Sequence, residues 1–278
     1  MFSISCSSIG LALLIFLVVM CAISEAAQYR AKFVIFTLFS AFAASWSIPI
    51  MLFRPGDWRN ALLPAWQLQK FAKLLGFNFI IRGHENIVKD TGAIVVINHQ
   101  SAMDLIVLAE LWPTLERCTV VSKKIILYLG TFGLASWLWG TIFIDRGNVQ
   151  DAQQRINSTA EIINKRKAKL LLFPEGTRHS SNTLKPFKKG AFHVAIASQT
   201  PIQPVVVSKY YFMDHKSLKF NHGKCTSFIT ILPPIPTIGM TKDDLPNLLD
   251  KTYQLMNEEF QRTSQEVLSK YGNNTKCE

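Results

Sequence analysis

The sequence predicts an α/β domain built on a buried mixed sheet flanked by helices and preceded by a membrane-embedded helical segment. Three observations carry this. Short β-branched runs recur at 77–81, 93–97, 119–122, 141–144, 170–173, 202–207 and 227–232. Helical patterns lie between them, notably at 150–166 and 188–198, and such alternation favours strands covered by helices. Two long apolar stretches precede the first run. The chain has 278 residues, enough for one sizeable domain and an anchor. The boundary is expected near residue 60, giving a membrane segment at 1–60 and a domain at 61–278.

The first apolar stretch runs from Ile9 to Ser24 and the second from Phe33 to Phe53. The second has 21 uncharged residues, long enough for a hydrocarbon core of about 30 Å. The first is shorter and ends near Glu25-Ala26-Ala27, as a cleavage site would, yet it lacks a positive n-region. Two topologies follow: a retained helical hairpin, or a cleaved signal peptide followed by one anchor. Both return the chain to the cytosolic side after residue 53, consistent with Arg54, Arg59, Lys70 and Lys73. A third has one or both helices dipping into a single leaflet.

Residues 61–77 read as an amphipathic helix. Either Trp66, Phe71, Leu74 and Leu75 lie in the headgroup boundary, or the helix packs on the domain. A third uncharged stretch, Ile125 to Ile144, is 20 residues long. A single crossing there would put His99 and Arg178 on opposite sides of the membrane. With Gly130, Gly133 and Gly140 inside it, the stretch reads instead as a core or interfacial helix followed by a strand. Its apolar surface is also suited to lining an acyl-chain tunnel. The last helix opens on a capping box, Thr241 with Asp244. Leu245, Leu248, Leu249, Met256, Phe260 and Leu268 give it an apolar stripe, and Gly272 can end it.

Lys plus Arg is 30 and Asp plus Glu is 19, a formal net charge of +11. That favours acidic partners, but the basic residues form no long run and do not select one class. The cysteines, Cys6, Cys21, Cys118, Cys225 and Cys277, are five in number and without C-x-x-C spacing. A disulfide framework or zinc site is not expected, and reduced thiols facing the cytosol are.

Two strings carry candidate chemistry. In Asn98-His99-Gln100-Ser101-Ala102-Met103-Asp104 a histidine precedes a carboxylate by five positions. On one continuous helix these would lie about 140° apart and could not meet. If 93–97 is a strand, 98–101 the turn after it and Ser101 the cap of a helix containing Asp104, the carboxylate can reach back to His99. Accepting Nδ1–H, it would fix the tautomer and leave Nε2 as a base. The same Ser-x-x-Asp spacing is a capping box, so Asp104 equally suits a helix N-terminus. Ser101 as a nucleophile is the weaker alternative, since no G-x-S-x-G elbow surrounds it.

In Phe173-Pro174-Glu175-Gly176-Thr177-Arg178 a strand ends at a turn. Gly176 permits an unusual backbone conformation with exposed N–H groups, Thr177 adds a hydroxyl, and Arg178 offers a planar fork for phosphate. Glu175, itself an anion, is expected to orient Arg178 or a substrate hydroxyl. A solvated surface turn is the plainer alternative.

Taken together the strings resemble the glycerophospholipid acyltransferase family, and within it the 1-acylglycerol-3-phosphate acyltransferases. The resemblance rests on 98–104, on Gly140 to Ile144-Asp145-Arg146, on 173–178, on Lys188-Lys189-Gly190-Ala191-Phe192 and on Pro201-Ile202-Gln203-Pro204-Val205, and covers roughly residues 60–235. It implies acyl transfer from acyl-CoA to the sn-2 hydroxyl of lysophosphatidic acid, with His99 as base and Asp104 as its partner. It implies a phosphate site of Glu175, Gly176, Thr177, Arg178 and Arg146. No metal and no cofactor are expected, acyl-CoA being a co-substrate. The expected partners are lysophosphatidic acid, acyl-CoA and the lipid bilayer, not nucleic acid. The expected location is the endoplasmic reticulum membrane with the domain facing the cytosol. Other lysophospholipid acceptors, or a non-enzymatic anionic-lipid binder, are the competing readings.

Overall fold

The computed structural model describes residues 19, 24–144, 152–214, 216–220 and 225–271. The β-branched runs all form strands: β1 (Phe77–Arg82), β2 (Ala93–Ile97), β3 (Cys118–Lys123), β4 (Ile142–Ile144), β5 (Lys169–Leu172), β6 (Ile202–Val207) and, after a small hairpin, β9 (Cys225–Ile231). They join in one seven-stranded sheet of order β1-β9-β6-β2-β5-β3-β4. Every neighbouring pair is parallel except β6 with β9. Strands β2 to β6 therefore share one direction, and the segments after β2, β5 and β6 emerge together at one sheet edge. Ligand sites in open α/β sheets form at such carboxyl ends.

The helices are α1 (Glu25–Trp46), α2 (Leu62–Leu74), α3 (Asp104–Leu115), α4 (Gly130–Leu138), α5 (Ala152–Arg166), α6 (Gly190–Ser198) and α7 (Leu245–Tyr271). Strand β2 is buried along its whole length, as a central parallel strand must be. Its alternating side chains feed two cores, one on each face. Val95 and Ile97 join Leu68, Ile106, Leu111 and Leu115 beneath α2 and α3. Ile94 and Val96 join Ile163, Phe192, Met256 and Phe260 beneath α5, α6 and α7. Each fully buried side chain of this size contributes about 1.5–3 kcal/mol, so a one-residue slip of β2 would be costly on both faces.

The capping box of the last helix is present: Asp244 Oδ2 accepts from Thr241 N at 2.8 Å, and Thr241 caps the turn Lys242–Asp244 that leads into α7. Leu245, Leu248, Met256 and Phe260 are buried, whereas Leu268 is exposed. Gly272 lies outside the described residues, as does most of Ile9–Ser24. The third apolar stretch resolves into a 3-10 turn (Lys124–Tyr128), α4 and β4, the helix-then-strand order expected. Unpredicted is a hairpin of β7 (Met213–Asp214) and β8 (Lys219–Phe220), two residues each and too short for an alternation signal. Its Phe220 ring packs against Tyr29 and Phe33 of α1, and Lys32 lies 4.7 Å over it.

The second apolar stretch differs from a single span. Its helix α1 starts at Glu25, carries Arg30 and Lys32, and ends at Trp46; a one-turn helix follows at Ile48–Met51. Among the described residues no helix is long and apolar enough to cross a membrane. One side of α1 is docked: Phe36 is buried in the core under α2 and α3, and Ala44 packs with Met51, Ala135 and Leu138. The other side leaves Val34, Ile35, Leu38, Phe42 and Trp46 exposed. Helix α2 shows both predicted characters. Ala65, Leu68 and Ala72 are buried, Phe71 stacks on Phe39 at 3.9 Å, and Trp66 and Leu74 remain exposed.

Candidate active site

The six residues between β2 and α3 are irregular backbone, and their polar side chains replace the missing ladder. Asn98 extends the sheet by one side-chain pair: its Nδ2 donates to Val207 O at 2.9 Å and its Oδ1 accepts from Val207 N at 2.7 Å. Gln100 Nε2 donates to Val207 O and Ser208 O, and Gln100 Oε1 accepts from Tyr210 N. Both side chains are buried, where an unpaired amide would cost about 1–3 kcal/mol. Two residues read only as motif letters are thus the staples that tie the His99 loop to the segment after β6.

His99 and Asp104 are brought together. His99 Nδ1 lies 2.7 Å from Asp104 Oδ2. The same oxygen accepts from Gln100 N at 2.7 Å and Ser101 N at 3.1 Å, and Oδ1 accepts from Tyr210 Oη at 2.8 Å. With three other donors aimed at this carboxyl group, it is the acceptor toward His99. Nδ1 then carries the proton and Nε2 is left as the basic nitrogen. Asp104 is 2 % exposed, so these bonds are its whole environment.

The capping alternative for Asp104 is also satisfied, in altered form. Helix α3 begins at Asp104 rather than after Ser101, and its N-cap residue, Met103, gives no side-chain cap bond. Asp104 caps backward, onto the amides of Gln100 and Ser101. Ser101 is buried; its Oγ accepts from Met103 N and faces Met213 Sδ at 3.8 Å. Those contacts occupy it within the loop and give no support to a nucleophile.

The segment after β5 meets this loop from the opposite side. Phe173 stacks on the His99 ring, centroids 4.1 Å apart and planes at 21°. Gly176 has φ +71°, the left-handed region that glycine adopts without strain. A Cβ there would also strike the Lys188 side chain, 2.6 Å from Nζ. Lys185 Nζ donates to Thr177 Oγ1 at 3.4 Å. The exposed turn of Gly176, Thr177 and Arg178 therefore carries two further cations, Lys188 of the 188–192 block and Lys185, which stood in no motif.

Glu175 behaves differently from its expected role. Its side chain is buried, and its partners are the loop rather than Arg178. Oε1 accepts from His99 N at 2.8 Å, and Oε2 accepts from Lys185 N at 2.8 Å and pairs with His179 Nε2. Arg146 lies outside the described residues. Tyr210, the donor to Asp104, had no motif around it and gave no signal in the sequence. Burial, and then the Asp104 carboxylate, push its phenol well above the usual range, so it remains a donor.

Next to the His99–Asp104 pair lies a cleft lined by Tyr29, Phe33, Ser101, Ala102, Arg178 and His179, so α1 supplies one wall. A separate apolar cavity of roughly 160 Å³ lies between α1, α2, α3 and α4, among Ala44, Ala65, Leu68, Leu108, Trp112 and Phe132. Cys118 and Cys225 are buried thiols in no disulfide, and burial raises both.

Comparison with known proteins agrees with this arrangement. Residues 78–208 match the model of the family described as Acyltransferase. The chain is 35 % identical to human 1-acyl-sn-glycerol-3-phosphate acyltransferase alpha over 87 % of its own length and 84 % of the relative's. It is 32 % identical to the human beta form over 90 % and 89 %. It is 39 % identical to the Saccharomyces cerevisiae 1-acyl-sn-glycerol-3-phosphate acyltransferase over 66 % and 60 %. The fold is that of the crystal structure of the 1-acyl-sn-glycerophosphate (LPA) acyltransferase from Thermotoga maritima, with TM-score 0.57 and 21 % identity over 82 % of this chain and 97 % of that one. The loop that holds a histidine against a buried carboxylate thus sits in a chain that belongs to the 1-acyl-sn-glycerol-3-phosphate acyltransferase family.

Proposed function

We propose that the protein transfers a fatty acyl group from acyl-CoA to the sn-2 hydroxyl of lysophosphatidic acid, releasing phosphatidic acid and CoA. The observation that carries this reading is the 2.7 Å contact of His99 Nδ1 with Asp104 Oδ2, in the loop whose Ser101 and Ala102 line a cleft together with Arg178. The names of the curated relatives support the acceptor. A glycerol hydroxyl is a poor nucleophile at neutral pH. His99 Nε2 takes its proton as the oxygen attacks the thioester carbonyl, and Asp104 stabilises the imidazolium. The tetrahedral intermediate expels the CoA sulfur, which takes the proton back from Nε2, and the C–S bond is exchanged for a C–O ester bond. A positioned base of this kind contributes about 10²–10⁴-fold. No acyl-enzyme is needed, and the buried thiols have no part in the reaction.

Arg178, with Thr177, Lys185 and Lys188 on the turn that Gly176 forms, binds the acceptor phosphate; the Gly176 amide is taken by Phe173 O at 3.1 Å. Arg146 belongs to the same set by resemblance. Glu175 serves this set by ordering the turn rather than by touching phosphate. The apolar cavity beneath α1 takes the fatty chain. The exposed side of α1, with Ile125, Tyr128, Leu129 and Trp137, rests in one leaflet of the bilayer. Residues 1–60 act as the anchoring segment, and the domain faces the cytosol at the endoplasmic reticulum.

The test is purified protein in phospholipid vesicles with labelled acyl-CoA and a panel of lysophospholipids, reading both product and free CoA. Phosphatidic acid formed with stoichiometric CoA release is the expected result. Preference for another acceptor would move the substrate, and capture of lipid without CoA release would make the protein a binder. Protease protection of a C-terminal tag in intact microsomes checks the topology.

A further inference from the structure

His179 follows the phosphate-binding turn and has no role in the reaction as derived. It is nevertheless among the most constrained groups near the base. Its side chain is 6 % exposed. Its Nδ1 accepts from Ser181 N at 3.3 Å, so the ring proton sits on Nε2 and is donated to Glu175 Oε2. This is the opposite tautomer to His99, whose proton is on Nδ1. The other Glu175 oxygen accepts from His99 N at 2.8 Å, and His179 N itself donates to His99 O at 3.2 Å. The backbone of His99 is therefore gripped at its amide and its carbonyl by one Glu175–His179 pair. The same segment stacks Phe173 on the ring.

We propose that His179 is a positioning residue for the base: it anchors Glu175, and the pair clamps the His99 backbone so that the imidazole is held in place before substrate arrives. The proposal rests on His99 being the base, as set out above. The physical logic is that an imidazole held only by Asp104 could still swing with its loop. A backbone fixed at both polar groups removes that freedom, and His179 supplies one of the two donors that hold the second Glu175 oxygen in place. Lys185 N shares that oxygen, so the pair links the base to the turn that meets the phosphate.

The decisive variants are His179→Leu, which fills the volume without a donor, and His179→Gln, whose amide restores one. Arg178→Ala serves as a contrast. All are made in the full chain in vesicles. Two quantities are read: amide hydrogen exchange of residues 98–101 without substrate, and kcat and KM for lysophosphatidic acid with acyl-CoA. His179→Leu is expected to speed exchange and lower kcat by about tenfold or more, the scale of one lost hydrogen bond to a charged acceptor, with acceptor KM within about twofold. His179→Gln should recover most of both. Arg178→Ala should do the reverse, raising KM and leaving exchange unchanged. Exchange and kcat within about twofold of the parent in His179→Leu, or a change carried by KM, overturn the proposal. If the leucine variant does not fold, His179→Asn, whose amide falls short of Glu175, takes its place under the same criteria. A parent protein that transfers no acyl group would sink the proposed function, while the exchange measurement would still decide the clamp.

Discussion

The two segments that meet at the sheet edge are held in different ways. Between β2 and α3 the loop is buried, and Asn98, Gln100 and Asp104 are tied by bonds to strand β6, to Tyr210 and to the loop itself. Four residues past the end of β5, the Gly176-Thr177-Arg178 turn is exposed, held by a backbone bond from Gly176 N to Phe173 O at 3.1 Å and a long bond from Lys185. Glu175 stands at the border and belongs to the first kind. The contrast teaches where each kind of work needs rigidity. A general base gains from being aimed before the substrate binds, since a donor or acceptor displaced by about 1 Å can lose about 10²-fold in rate. A cation that meets a phosphate can be ordered by the phosphate itself.

The sharpest break of this contrast is His99→Ala. It removes the base from a loop that Asn98, Gln100 and Asp104 still hold, so the chain should fold while kcat falls by about 10²–10⁴-fold or more. Near-parental turnover in purified variant would remove His99 from the mechanism. Asp104→Asn comes next. An amide offers one acceptor oxygen and turns two hydrogens toward existing donors, so it should lose about 10²-fold or more in kcat and also about 1–3 kcal/mol of stability. Thermal melts separate these effects: a fall in rate with no change in Tm would make Asp104 purely catalytic.

Arg178→Ala should act on binding alone. Loss of a charge-assisted phosphate contact of about 1.5–3 kcal/mol raises the acceptor KM by about 10–150-fold with kcat nearly kept. A neutral acceptor analogue should then show no difference between variant and parent. Tyr210→Phe removes one donor from Asp104 and is expected to cost about 1 kcal/mol, near fivefold in kcat, with a small drop in Tm. A larger loss would promote Tyr210 to the rank of Asp104.

The smallest effect lies outside both segments, at the end of β1. Arg82 makes a two-pronged pair with Glu266 of α7, at 2.7 and 3.0 Å. Bonds from Arg82 and then Lys270 hold the Glu266 carboxyl down to about 2, from 4.5. A depressed acid stabilises the fold fully above about 4.5, and this contribution is lost as pH falls through about 2. Arg82→Ala should therefore cost up to about 1 kcal/mol at neutral pH, less near pH 2, and leave the kinetics unchanged. Any change in kcat would mean that α7 reports to the site after all.

Much of this was legible in the chain. The β-branched runs gave the strands because burial on both faces selects such residues locally. The Thr241–Asp244 box marked the last helix because both partners lie within one turn. His99 and Asp104 could be paired on paper because a strand end and a helix start constrain five residues almost completely. The single span at 33–53 was not visible as a broken, docked helix, since hydropathy does not say which apolar face meets protein.

Sequence by itself thus determined the elements, the two strings and the nearness of base and carboxylate, all consequences of local propensity and short spacing. Only the tertiary structure decided that Asp104 both caps and orients, that Glu175 grips His99 rather than Arg178, and that Tyr210 completes the carboxylate. Those partners are separated by 76 residues for Glu175 and 106 for Tyr210. Their meeting depends on strand order and direction, which follow from how two cores close on one sheet and are written in no single stretch of chain.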